Sequence, residues 1–119
     1  MIGIDLVENR RFEGEVRKYG ELFLNKIFTK RELEAYPLEK RGSIRRLGTI
    51  FAAKEAVVKA LGLEIVTWRD IEIDEEGNDG VTILNTHKAT GVKKQKVRIS
   101  VSSSREYSMA FVIIQDGYQ

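Results

Sequence analysis

The chain has 119 residues, 42% apolar and 32% charged, enough for one compact domain and too apolar for a disordered chain. Twenty Lys and Arg against 18 Asp and Glu leave a formal charge of +2, too slight to point to nucleic acid. There is no cysteine, which excludes disulfides, zinc–thiolate sites and cysteine nucleophiles. No stretch approaches the roughly 18 consecutive apolar residues that a membrane span needs. The first residues lack a signal-peptide pattern, so a cytoplasmic protein is expected. So small a domain buries a modest share of its surface, and a sizeable cleft is most easily built between copies.

In chain order, Ile2, Ile4 and Leu6 alternate with Gly3, Asp5 and Val7, a period of two that predicts an opening strand with Asp5 and Val7 on one face. A helix is predicted from Asn9, with Phe12, Val16, Tyr19 and Phe23 as its apolar spine. Arg10, Arg11, Arg17 and Lys18 form a basic stripe beside that spine. Residues 29–36 predict a short helix capped by Thr29, with Glu32 closing a capping box and Pro37 after its end. Ser43 is a candidate cap for a long helix to Leu61, with Gly62 as its stop. Strands are expected in residues 69–75, with Ile71 and Ile73 alternating, and in 81–84 after a turn at 76–80. Residues 91–96 read as a basic loop. Val97, Ile99 and Val101 alternate in a further strand, 103–106 breaks the run, and 107–114 resumes it. Helices early and antiparallel strands late make the expected class α+β, as a single domain over residues 1–119.

The long helix is the most informative segment. Leu47, Ile50, Phe51, Val57, Val58 and Leu61 share one arc, with Lys54 in its middle. Ala52, Ala53, Ala56 and Ala60 cover the other side, so the helix is expected to pack on both, with small residues admitting another backbone. Glu55 and Lys59 lie four apart at the border between the arcs. They fit a surface ion pair, or a carboxylate and ammonium groups converging on a metal–phosphate site. Lys54 is open to two readings also, as a buried stem with its charge in water or as part of that convergence.

Residues 3–11, with Gly3, Asp5 and Arg11, resemble the Gly-x-Asp-x-x-x-x-x-Arg motif of the 4′-phosphopantetheinyl transferases. Residues 51–62, with Phe51, Lys54, Glu55 and Lys59, resemble their Phe-x-x-Lys-Glu-x-x-x-Lys signature. Residues 28–33 are similar to the family's Leu-Thr-x-x-Glu-Leu, and the last strands fall where the family has its Ser-x-Ser-His and Tyr-Ala-x-Ala segment. The resemblance runs nearly end to end, at the length of the single-domain holo-(acyl-carrier-protein) synthases.

The resemblance implies transfer of the phosphopantetheine arm of coenzyme A to a serine of apo acyl carrier protein, leaving adenosine 3′,5′-bisphosphate. It implies an antiparallel sheet packed on helices and a homotrimer with active sites between subunits. Asp5 and Glu55 are the implied Mg²⁺ ligands, an all-oxygen set suited to that ion, and Glu55 and Lys59 the implied catalytic pair. Lys54, Lys59, Gly62, Ser102 and Ser103 are expected at coenzyme A, and Arg10, Arg11, Arg17 and Lys18 at the acidic carrier protein. The base that deprotonates the carrier serine stays open between Glu55, Glu32 and a metal-bound water, and the carrier's pathway, fatty-acid or other, is not specified.

Three positions depart from the family. Ser103 stands where the family has His, Thr49-Ile50-Phe51 replaces Gly-Arg-Phe, and residues 77–80 lack the proline of Gly-Lys-Pro. His87, the single histidine, matches no motif. These losses keep open a second class, a non-catalytic module on the same fold that binds carrier protein or coenzyme A.

Overall fold

A computed structural model describes residues 1–61, 67–74, 81–83 and 96–115. The elements are β1 (Ile2–Glu8), α1 (Asn9–Tyr19), α2 (Glu21–Ile27), α3 (Lys30–Ala35) and α4 (Ser43–Leu61). A 3-10 turn (Trp68–Asp70), β2 (Ile71–Ile73), β3 (Val81–Ile83), β4 (Lys96–Ser103) and β5 (Tyr107–Gln115) follow. β1, β5 and β4 form an antiparallel sheet in that order, and β2 and β3 pair antiparallel in a second, small one. The architecture is α+β, as expected. Gly62, the turn at 77–80 and His87 lie outside the described residues. Among those described, no helix is long and apolar enough to cross a membrane.

α4 is the axis of the molecule. Leu47, Ile50, Val57 and Leu61 are buried on one side, and Ala52, Ala53, Ala56 and Ala60 on the other. The helix packs chiefly on β1 and β5, whose Val7, Ala110, Val112 and Ile114 are buried. The two-sided packing read from the sequence is therefore present. Its tightest point is Gly3 on β1. A Cβ there would stand 2.0 Å from the carbonyl oxygen of Ala56 and 2.9 Å from the Ala60 nitrogen. Only a strand without a side chain can lie this close to a helix that presents alanines.

That close seam fixes the facing of β1. Gly3, Asp5 and Val7 turn toward α4, while Ile2, Ile4 and Leu6 are 62%, 53% and 57% exposed. By register, Ile113, Phe111 and Met109 of β5 stand beside them, so an apolar stripe crosses the outer face of the sheet. The more apolar half of the alternation is the outer half.

Two helix expectations change. The spine Phe12, Val16, Tyr19, Phe23 does not belong to one helix. Gly20, at φ 56, donates its N–H to Val16 O and closes α1, and its carbonyl opens α2. Few residues but glycine adopt this conformation readily. Phe12 and Val16 are buried, whereas Tyr19 is exposed. Ser43 is the first residue of α4 rather than its cap, and Arg46 N–H bonds to Gly42 O. The capping box of α3 forms as read: Thr29 Oγ1 accepts from Glu32 N–H, and Glu32 Oε1 accepts from Thr29 N–H at 2.8 Å. At the far end, Asn9 Nδ2 donates to Ser104 O, and Ser108 Oγ donates to Asn9 Oδ1. The start of α1 is thus tied to the β4–β5 hairpin.

Candidate active site

Asp5 faces α4 because Gly3, two residues earlier, brings β1 against the helix. Lys59, on the border of the two α4 arcs, reaches across the seam and donates from Nζ to Asp5 Oδ1 at 2.6 Å. Helical spacing pairs Lys59 with Glu55; the contact it makes is with the strand. One turn earlier, Glu55 Oε1 accepts a hydrogen bond from Trp68 Nε1 at 2.9 Å. Asp5 and Glu55 both line a cleft of about 560 Å³, together with Glu8, Arg11 and Glu15 and the rings of Phe12, Phe23, Phe51 and Tyr107.

The charges are mutually adjusted. Partial burial pushes the Glu55 carboxyl above the usual carboxylate range, and the Asp5 charge adds to this; the Trp68 N–H and Lys59 oppose it. Lys59 is held above its ordinary value, first by its hydrogen bond to Asp5. A carboxyl raised in the folded chain binds its proton more tightly there than in the unfolded chain. Its ionisation therefore costs stability above the raised value, and the cost vanishes once pH falls below the ordinary value. Glu55→Gln keeps an acceptor for Trp68 and carries no charge. It is expected to raise the melting temperature of the metal-free protein at neutral pH and to lose that advantage on acidification. Equal melting temperatures at neutral pH would show that solvent screens the repulsion.

The carboxylates suit a hard cation. Among the described residues no three acidic or histidine side chains are grouped closely enough to hold a metal ion by themselves, so a cation held by Asp5 and Glu55 would take its other ligands from substrate oxygens and water. That is the usual way of binding Mg²⁺, and a cation there would offset the cost of burying the Glu55 charge and its repulsion from Asp5.

Lys54 does not reach the cleft at which a coenzyme A contact was expected of it. Its side chain is fully buried, and neither a snorkelling stem nor a phosphate contact describes it. Nζ pairs with Glu32 and donates to the carbonyls of Ile27, at 2.8 Å, and Trp68, at 3.0 Å, so its three protons have three acceptors. Glu32 is 3% exposed and accepts in addition from Thr29 N–H and Ile73 N–H. A carboxylate committed to three donors inside the core cannot serve as the base for a carrier serine. Burial pushes the Lys54 ammonium below its ordinary value, and the Glu32 charge opposes that shift.

The remaining candidates divide. Arg11 lines the carboxylate cleft. Arg10 lines an adjoining cleft of about 910 Å³ that also carries Lys40, Arg41, Arg45 and Arg105, and Tyr107 borders both. Arg17 pairs with Glu13, and the Lys18 ammonium lies 5.2 Å from the centre of the Tyr19 ring. Ser102 and Ser103, exposed at the end of β4, line neither cleft. Ile50, at the family's arginine position, is buried in the core and supplies no cation. The sequence reading missed Trp68. It is the chain's one tryptophan, placed among polar residues, and that oddity was the available signal.

The profile of the 4′-phosphopantetheinyl transferase superfamily matches residues 1–112. A holo-[acyl-carrier-protein] synthase of Koribacter versatilis is 35% identical over 121 residues, covering 96% of each chain. Among solved structures, the synthase of Neisseria meningitidis superposes with a TM-score of 0.81 at 28% identity, covering 97% of each chain. That of Helicobacter pylori, solved in complex with coenzyme A, superposes at 0.78 and 27% identity, covering 97% of this chain and 100% of the other. With the two sequence motifs meeting at one cleft and nearly the whole chain matched, this protein belongs to the 4′-phosphopantetheinyl transferase superfamily and, within it, to the holo-[acyl-carrier-protein] synthases.

Proposed function

We propose that the protein is a cytoplasmic, Mg²⁺-dependent transferase that moves the 4′-phosphopantetheine arm of coenzyme A onto a serine hydroxyl of apo acyl carrier protein. The observation that carries this reading is the meeting of Asp5 and Glu55 at one cleft, with Lys59 against Asp5. Asp5 and Glu55 would hold the metal, which when bound offsets charge on the pyrophosphate and on the departing nucleotide phosphate. Lys59, an ammonium kept protonated by Asp5, would neutralise phosphate oxygens. The adjoining cleft, where Arg10, Lys40, Arg41, Arg45 and Arg105 stand among Glu8, Glu13, Glu39 and Glu106, offers cations for an outlying phosphate of the cofactor. Glu55, whose carboxyl lies above the usual range, is the chain's own candidate for taking the serine proton.

Two further parts belong to the reading. The basic side chains of α1, Arg10, Arg11, Arg17 and Lys18, would dock the acidic carrier and set its approach. The exposed stripe of Ile2, Ile4, Leu6 and Met109 would be covered by neighbouring copies in a trimer, since contiguous apolar surface of this kind marks interaction sites. Ser102 and Ser103 would then serve a cleft on a neighbour rather than on their own subunit. Sedimentation at the mass of a single chain would end this part of the reading.

The direct test is mass spectrometry of apo carrier protein incubated with the protein, coenzyme A and Mg²⁺. The expected result is a gain of one phosphopantetheine that a chelator blocks. Binding of coenzyme A or carrier without any gain would favour a non-catalytic module, for which uncharged Ile50 and Ser103 are the motive.

A further inference from the structure

Trp68 is tied down at both ends. Its indole N–H bonds to Glu55 Oε1 at 2.9 Å, and its backbone carbonyl accepts from the buried Lys54 at 3.0 Å. Its ring packs on Phe51, with centroids 6.0 Å apart, and Phe51 stacks on Phe12 in the cleft wall. The turn that aims the indole is closed by Asp70, which accepts from Thr67 N–H at 3.0 Å and Thr67 Oγ1 at 2.9 Å. Lys54 and Glu55 are consecutive on α4. One enters the core and grips the backbone of Trp68, while the other points to the cleft and is gripped by its side chain.

We propose that Trp68 is a positioning residue for the metal-binding carboxylate: its N–H ties one oxygen of Glu55 and so sets the direction of the other, while Lys54, itself paired with Glu32, holds the Trp68 backbone from behind. A partly buried glutamate without a fixed partner still has several rotamers open to it, and a ligand that must first be ordered binds more weakly. Partners that orient metal ligands typically contribute 10–100-fold in metal affinity or activity. The inference rests on the reading of Glu55 as a metal ligand.

The test is Trp68→Phe, which keeps a ring against Phe51 and removes the donor. Mn²⁺ binding to the full protein is followed by the electron paramagnetic resonance of free Mn²⁺, and carrier loading is measured against metal concentration. Mn²⁺ affinity is expected to fall about 10-fold, and the metal midpoint of turnover to move by the same factor. The KM for coenzyme A at saturating metal should stay unchanged. A tryptophan that mattered only for packing would lower activity at every metal concentration and leave the midpoint in place, and that result overturns the proposal. Because Trp68 is the only tryptophan, it can also be replaced uniformly by 3-benzothienylalanine, which has the same shape and no N–H, and the same displacement is expected. Glu55→Gln separates the two levels. If it abolishes Mn²⁺ binding while both Trp68 replacements bind normally, the positioning role is wrong and the ligand stands. If it binds Mn²⁺ normally, the ligand assignment falls and the positioning role with it.

Discussion

Asp5→Ala is expected to slow carrier loading by about 10³-fold or more, the scale on which loss of one group aimed at developing charge is felt, with the fold intact. The two halves of the expectation have separate causes. The ion pair that the substitution breaks joins a carboxylate whose side chain is 13% exposed to a lysine whose side chain is 55% exposed, and a pair with one partner so open to solvent contributes about 1 kcal/mol. Stability should hardly change. Turnover should collapse because one of the two carboxylates read as metal ligands is gone and Lys59 loses the partner that directs it. Asp5→Asn sharpens the comparison, since its carbonyl can still accept from Lys59 but offers a cation no charge. Loading rates and melting curves on the same samples decide the matter. Turnover near the parent's in both variants would remove Asp5 from the site.

The second large effect is on stability. Lys54→Met is expected to cost about 3–5 kcal/mol in urea denaturation, because removing one partner of a buried pair strands the other charge. Glu32 would be left with two backbone donors and no cation, and the carbonyls of Ile27 and Trp68 would lose their bond to Nζ. Adding Glu32→Gln should cost less than the sum of the two single changes, as expected for groups in one network. A Lys54→Met protein as stable as the parent but impaired in coenzyme A binding would instead restore the phosphate role read from the sequence pattern.

The sequence carried the frame of the molecule well. Period-two runs marked β1, β4 and β5, and Val81 and Ile83 pair with β2 as the turn between them suggested. The alanine side of α4 announced close approach, and Gly3 is what approaches. Periodicity reports the face on which a residue lies and says nothing of what occupies the other side of it. Lys54 was visible as a charge in an apolar arc, yet its partner on α3 and its two carbonyls on separate segments were not. Lys59 had a local partner four residues away and took one 54 positions distant. The Trp68–Glu55 bond joins a turn to a helix through the folded core and has no local signature. Gly20 was the reverse case, a local signal that the spacing of Phe12, Val16, Tyr19 and Phe23 obscured.

The seam at Gly3 bears on more than packing. It touches α4 at Ala56, next to Glu55, while Asp5 follows Gly3 by two residues, so one contact helps to place both carboxylates. Adding a methyl group there would move strand and helix apart and the carboxylates with them. A compensating change elsewhere in the core could restore melting behaviour without restoring that distance. At this one position the packing of strand on helix and the placing of both carboxylates answer to the same atom, so neither can be adjusted while the other is held.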